Sequence, residues 1–328
     1  MRRPTIYDVA REAGVSKSLV SLVLQGSGRV SDASRAAVEA AVDSLGYRPS
    51  RAAAELAAGR TMLVGVLIDD YANPWFVDLA RGIGHVLGPE GYRLTVVDTA
   101  TMPAAEDPVE GMLSARVDGI VVARDVPEQL LATAAPPLVV AGTRDRIPAG
   151  VDAVANDDTA GARLAAEYLL ALGHRIVAHL SAGGGAAAAR RRGFEEVIRA
   201  AGGRVVATDY GGPATEHAGF DSTVRVLAEH PEVTAIFAVN DVMALGALGA
   251  ARQRGIDVPG RLSIVGYDNT SLARTRLIDL TTVDDDSFGV GREAGQLLRA
   301  RMAGGNGDVV RLALDPVLVV RGTTAAAP

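Results

Sequence analysis

A small all-α helix-turn-helix head joined to an α/β body of two doubly wound parallel-sheet subdomains is the fold class that this 328-residue sequence predicts. Three observations predict it. Residues 1–48 hold three short amphipathic helical patterns, and from Leu63 onward short apolar runs alternate with helical patterns. The charge is also uneven: residues 1–60 carry nine Lys and Arg against six acids, a net of +3, which leaves −9 for residues 61–328 of a chain totalling −6. A basic head on an acidic body is the distribution expected when only the head meets phosphates.

Within the head, Thr5 and Asp8 have the spacing of a capping box, and Ile6, Val9, Ala10 and Ala13 share one helical face. Gly14 supplies a turn, Ser16 is a good N-cap, and Leu19, Val20, Val23 and Leu24 form a buried stripe on a second helix that leaves Lys17, Ser18 and Ser21 outside. Ser31 caps a third helix that ends before Gly46, a usual C′ residue. Residues 1–48 are therefore a helix-turn-helix unit. Residues 49–60 read as a hinge: Pro49 ends the preceding direction and Ser50 can cap an Ala-rich segment too short to be a stable helix alone.

Residues 61–328 form the body. LVGVLI, LTVV, GIVVA and PLVVA are expected strands, with helices over 75–87, 104–115 and 128–134 between them; the rhythm resumes with helices over 159–172, 187–201 and 241–254 around IVAHL, AIFAV and LSIVGY. Such alternation gives parallel sheets covered by helices on both faces, in two similar halves with a cleft between. Ligands of such sheets bind at the carboxyl ends of the strands.

Composition narrows the function. No window has the ~18 apolar residues of a membrane span, and no apolar secretory segment opens the chain, so a cytoplasmic protein is expected, nucleoid-associated when on DNA. The absence of cysteine excludes disulfides, thiolate zinc sites and Cys nucleophiles. GGG at 183–185 lacks the ending of a phosphate loop, Asp284-Asp285-Asp286 lacks metal-loop spacing, and His179 on an apolar strand reads as structural. No enzyme, cofactor or metal is expected.

The ordered motifs TIYDVAREAGVSKSLVSLVL and RVSDASRAAVEAAVDSLGYRPSRAAAEL, then NPWF, VDGIVV, LGHRIVAHL, RRRGF, NDVMALGAL, LSIVGYDN, LTTV and VVRGTT, resemble the LacI/GalR family of bacterial transcription regulators across essentially the whole chain. That resemblance implies a body of periplasmic-binding-protein type, a homodimer, a pseudo-palindromic double-stranded DNA operator and a small effector, usually a sugar. The expected function is a repressor whose operator affinity the effector lowers. A corepressor-dependent regulator answering to a purine or phosphoprotein is the alternative within the family, and a solute-binding transport receptor the alternative from another class.

Residues at the start of a second helix enter the major groove, so Lys17, Ser18 and Ser21 are the base-reading candidates, with Ser16 and Arg29 on or near the backbone. Thr5, Tyr7, Ser31 and Arg35 resemble the family's phosphate-contacting positions, and Leu56 its minor-groove wedge. Leu19, Leu22, Ser50 and Ala54 depart from the family's common residues, so no operator sequence carries over. For the ligand, Arg190 and Asp268 match the family's ligand arginine and aspartate, a pair able to clamp neighbouring hydroxyls. Asn240 offers donor and acceptor; Trp75, the sole tryptophan, and Phe220 are expected as ring platforms.

Overall fold

The computed structural model describes residues 4–24, 30–47, 60–103, 106–131, 135–208 and 211–328. Arg29, Leu56 and the expected hinge from 49 to 59 lie outside them. Contacts divide the chain into two units, Met1–Thr61 and Met62–Pro328.

In the first unit, α1 (Ile6–Glu12), α2 (Lys17–Leu24) and α3 (Asp32–Leu45) close around Val9, Val20, Val23, Val38 and Ala41. Their ends form where local chemistry directs. The backbone N–H and hydroxyl of Thr5 donate to Asp8 Oδ2 at 2.9 and 2.7 Å, Leu19 N–H donates to Ser16 Oγ at 3.2 Å, and Ser34 N–H donates to Ser31 Oγ at 3.3 Å. Gly46 ends α3 with φ +59°, a left-handed conformation that glycine adopts without a Cβ clash.

The second unit holds two six-stranded sheets. One comprises β1 (Leu63–Ile68), β2 (Arg93–Asp98), β3 (Gly119–Ala123), β4 (Leu138–Ala141), β5 (Asp152–Asn156) and β11 (Arg311–Leu314), in the order β11-β5-β4-β3-β1-β2, all parallel. The other comprises β6 (Ile176–Leu180), β7 (Arg204–Thr208), β8 (Ala235–Ala238), β9 (Ser263–Tyr267), β10 (Thr281–Asp284) and β12 (Val317–Val319), in the order β12-β10-β9-β8-β6-β7, with only β12 antiparallel. Helices α4 (Trp75–Leu87), α5 (Pro108–Ser114) and α10 (Ser287–Met302) accompany the first sheet; α6 (Asp158–Ala171), α7 (Gly185–Ala200), α8 (Glu216–Glu229) and α9 (Asp241–Gln253) accompany the second.

The chain crosses between the sheets three times, at residues 156–158, 284–287 and 314–317. This swapping of α10 and β12 was not apparent in the strand–helix rhythm, because it depends on long-range pairing. Two expected helices also change: α5 starts at Pro108, where Asp107 caps it, and Glu128–Leu131 is a single 3₁₀ turn.

His179 is buried on β6 beside the stacked rings of Phe194 and Phe237, with Nδ1 3.0 Å from the Phe237 carbonyl oxygen and no partner for Nε2. Burial lowers its pKa from 6.5 to about 4. The unfolded chain therefore takes up this proton first as pH falls, and stability is lost between about pH 6.5 and 4, by about 3 kcal/mol in all at ~1.4 kcal/mol per pH unit. His179→Phe should lose less stability than wild type between pH 7 and pH 5, by about 2 kcal/mol. Urea unfolding of both proteins at both pH values isolates the imidazole, and equal losses would place its titration elsewhere.

Candidate functional site

Two surfaces carry the residues expected to function. On the head, α2 presents Lys17 and Ser18 to solvent beside Ser16, with Ser21 half-buried. Lys17 Nζ lies 3.4 Å from the Tyr7 hydroxyl and 5.0 Å from the centre of its ring, so α1 holds the cation at the start of α2. Ser31 is exposed at the start of α3, while Thr5 and Arg35 are half-buried. Thr5 is engaged by Asp8, so capping is its established role in the fold.

The body has a cavity of about 640 Å³ between its sheets, lined by residues that follow strand ends. Asp69 and Asp70 follow β1, Thr143 and Arg144 follow β4, Asp158 follows β5, Ala182 and Gly183 follow β6, Asn240 follows β8 and Asp268 follows β9. Strand polarity alone places them there, as parallel sheets dictate.

Arg190, one turn into α7, is the hub. Its Nε donates to Asp158 Oδ1 at 2.6 Å and its Nη1 to the Val239 carbonyl at 2.6 Å. Nη1 also lies 3.1 Å from Asp268 Oδ1, close enough for an ion pair but poorly directed for a hydrogen bond. The guanidinium stacks 3.6 Å from the centre of the Tyr267 ring. Burial raises the Asp268 pKa to about 7, with Arg190 opposing and Asp241 and Asp158 reinforcing the rise. Asp268 and Asn269 have φ of +97° and +47°, backbone strain concentrated at the turn that aims the carboxylate. Asp241 holds this turn: its Oδ2 accepts from Thr270 N–H at 2.7 Å and from the Thr270 hydroxyl at 2.9 Å.

Asn240 lines the cavity and also caps α9, Oδ1 accepting from Met243 N–H at 2.8 Å while Nδ2 donates to the Ala214 carbonyl at 3.4 Å. Trp75 lines the cavity at the start of α4, and its Nε1–H donates to Asp285 Oδ2 at 2.6 Å. Phe220 requires a correction. It is absent from the cavity wall and lies instead against Gly249 of α9; Pro213, Ala214 and Thr215 form the wall where a ring was expected. Residue 220 is four positions into α8, and the phase of that helix turns its ring toward α9.

Asp69, Asp70 and Asp158 went unnoticed in the sequence, although each stands one or two residues beyond a strand. Asp285 was hidden too, inside an acidic triplet whose members have different tasks. Asp284 Oδ2 accepts from Asn269 Nδ2, Asp286 caps α10 through Gly289 N–H, and Asp285 is fully buried against Trp75.

Burial, then the neighbouring Asp268, raises the Asp285 pKa well above its ordinary value, which favours the neutral acid. Asp285→Asn, which keeps an acceptor and the shape of that acid, should leave the emission of the single tryptophan near wild type. Asp285→Leu should red-shift it and destabilise the fold by about 1–3 kcal/mol, because a buried indole N–H loses its acceptor. Unchanged emission from Asp285→Leu would remove the pair's role in placing the ring.

Residues 5–50 match the family model for bacterial regulatory proteins of the lacI family, and residues 166–324 match that for the periplasmic binding protein-like domain. The chain is 34% identical to the HTH-type transcriptional regulator CelR of Thermobifida fusca over 98% of both chains; a solved CelR–cellobiose complex superimposes with a TM-score of 0.70 at 31% identity, covering 98% of this chain and all of that one. A LacI-family regulatory protein from Corynebacterium glutamicum is 50% identical, with a TM-score of 0.74 over 81% of this chain and 99% of its own. The lac repressor dimer bound to operator and an anti-inducer superimposes at 0.85, 28% identical, over 99% of this chain and all of that one.

Proposed function

The chain belongs to the LacI family of bacterial regulatory proteins and is a DNA-binding transcription regulator, and from that premise we propose that it is a homodimeric repressor released from its operator by a sugar or sugar derivative bound in the body cleft. The observation that carries the reading is the Arg190 hub: one guanidinium joins Asp158 at a crossing between the sheets to Asp268 beyond β9, beside a cavity large enough to enclose a small molecule. A ligand bonded there shifts the balance between arrangements of the two halves by its differential affinity for them. The cellobiose complex of CelR and the operator-bound lac repressor dimer support the ligand class and the assembly. No catalytic step belongs to this reading, and the site of action is the cytoplasm, where an operator is found.

On DNA, Lys17, Ser18 and Ser21 read bases from the start of α2, while Tyr7, Ser16, Ser31 and Arg35 meet the backbone together with Arg29; Leu56 enters the minor groove. A transport receptor would have no use for such a head. Selection of duplexes from a random pool by the full-length protein tests this directly: two half-sites related by a two-fold axis are expected, and enrichment without symmetry would count against a dimer. On the selected duplex, Lys17→Ala should weaken binding by ~1–3 kcal/mol while non-specific binding is nearly unchanged. An equal loss on every sequence would assign Lys17 to a phosphate instead.

A further inference from the structure

We infer that the cleft takes an uncharged, hydroxyl-rich ligand larger than one sugar ring, a neutral di- or oligosaccharide, and rejects anionic ligands such as sugar phosphates, uronates and nucleotides. The inference rests on the reading of the cleft as the effector site and specifies the chemistry of that effector.

Charge is the first argument. Five carboxylates line the cavity, those of Asp69, Asp70, Asp158, Glu216 and Asp268, against the two guanidiniums of Arg144 and Arg190. Arg190 is committed to carboxylates, whereas Arg144 bonds backbone carbonyls and is outnumbered by the acids that line the cavity with it. Arg190 is bonded to Asp158 and the Val239 carbonyl and paired with Asp268. Arg144 donates through Nη2 to the Ala141 carbonyl at 2.6 Å and through Nη1 to that of Thr143 at 3.3 Å. Burial raises the pKa of Asp69 and lifts that of Asp268 to about 7, so negative charge in the cavity is already disfavoured, and another anion would add to it.

Unmet hydrogen bonds point the same way. Asp158 Oδ2 is buried without a donor, and Asp268 Oδ1 has only the poorly directed Arg190. Arg144 Nε is a buried donor without an acceptor. Hydroxyl groups supply donors and acceptors together and satisfy both kinds of orphan; a phosphate dianion or carboxylate offers acceptors alone.

Helix N-termini are the remaining source of anion affinity, and each facing the cavity is already in use. Asn73 Oδ1 accepts from Trp75 N–H at the start of α4, Thr215 caps α8 and Asn240 caps α9. The first turn of α7 has no side-chain cap, but there the Arg144 backbone closes in from the other sheet: a Cβ on Gly185 would stand 2.8 Å from the Arg144 carbonyl oxygen and 2.6 Å from its carbon. That approach leaves no room for a phosphate.

Size and texture settle the rest of the class. A cavity of about 640 Å³ exceeds what a single hexose ring fills. Trp75, Phe76, Leu245 and Leu272 give it apolar walls for the C–H faces of more than one ring.

The test uses the full-length protein in a thermal-shift screen, followed by calorimetry, against cellobiose, maltose, lactose, sucrose, trehalose and the trisaccharides of the glucose series. Their 6-phosphates, glucose 6-phosphate, glucuronate, guanine and guanosine monophosphate are the anionic and purine arms. At least one neutral di- or trisaccharide is expected to raise the melting temperature, and its phosphate to bind roughly 100-fold more weakly, as like charges in a desolvated cleft require. Asp158→Asn should narrow that gap by about tenfold or more, and Asp69→Asn, whose carboxylate is half exposed on the opposite wall, should narrow it in a chain certain to keep the Arg190 hub.

A stabilising phosphate, uronate or nucleotide would overturn the inference, as would equal affinity for a sugar and its phosphate, or no neutral saccharide that stabilises at millimolar concentration. The regulatory reading fails differently. A neutral disaccharide that binds without changing operator affinity defeats that reading and leaves this inference standing, whereas a phosphate that releases operator does the reverse.

Discussion

Arg190→Ala is expected to lose about 3–5 kcal/mol of folding stability at pH 7.5, the largest effect of any single substitution in the cleft. The arginine is 7% exposed and Asp158 and Asp268 are 2% and 3% exposed, so its removal strands two buried carboxylates that, among the described residues, it alone faces with positive charge at contact distance. The pH dependence follows from the sign of the change. Asp268 is already raised to about 7 with the guanidinium beside it, and losing Arg190 removes the group that opposes the rise; the stability of its protonated form is present at low pH and lost as pH rises through the folded value. The deficit of the variant should therefore widen from pH 5 to pH 8. Adding Asp158→Ala should recover part of the loss, since the stranded charge goes with it. Urea unfolding followed by circular dichroism measures all of this, and a variant within 1 kcal/mol of wild type at pH 7.5 would show that the hub does not hold the cleft together.

Residues 62–328 alone should bind the selected duplex with no measurable specificity, and ligand with the affinity of the full chain. The body carries its own cores on both sheets, and its charge is strongly acidic, so it repels phosphate rather than attracting it. The loss should be the whole specific affinity, ~4–10 kcal/mol beyond non-specific binding. Gel-shift titration at several salt concentrations, with calorimetry on the same fragment, separates the two activities. Retained operator binding would place the DNA surface on the wrong unit.

The head was the most readable part of the sequence because its signals are local. Thr5 with Asp8, Ser16, Ser31 and Gly46 each act within four residues, and the structure shows every one at the helix end expected of it. Strands such as LVGVLI and GIVVA were equally plain, since buried parallel strands are nearly continuous apolar runs. The cleft was readable only where a motif pointed to it. Arg190 and Asp268 do meet, across 78 residues of chain, yet the partner that bonds Arg190 most directly, Asp158, carried no motif.

Other features depend on tertiary approach and have no local sign. Trp75 and Asp285 are 210 residues apart, and nothing in DDD tells which carboxylate is buried. Helix α10 was missed because Gly289, Gly291 and Gly295 dilute its apolar stripe; Gly289 leaves room for the capping Asp286, and Gly291 and Gly295 let α10 press on α4, where a Cβ on Gly291 would overlap the Leu79 backbone. Phe220 failed as a platform for a related reason, as only the packing of α8 on α9 reveals which way its ring turns.

The coupling of cleft to DNA is tested most directly by titrating the full-length protein onto a fluorescent selected duplex with and without a saturating neutral saccharide taken from the thermal-shift screen. The dissociation constant should rise about 5- to 150-fold with the saccharide present, the range of typical coupling free energies. An unchanged constant would contradict the account, and a lowered one would make the ligand a corepressor.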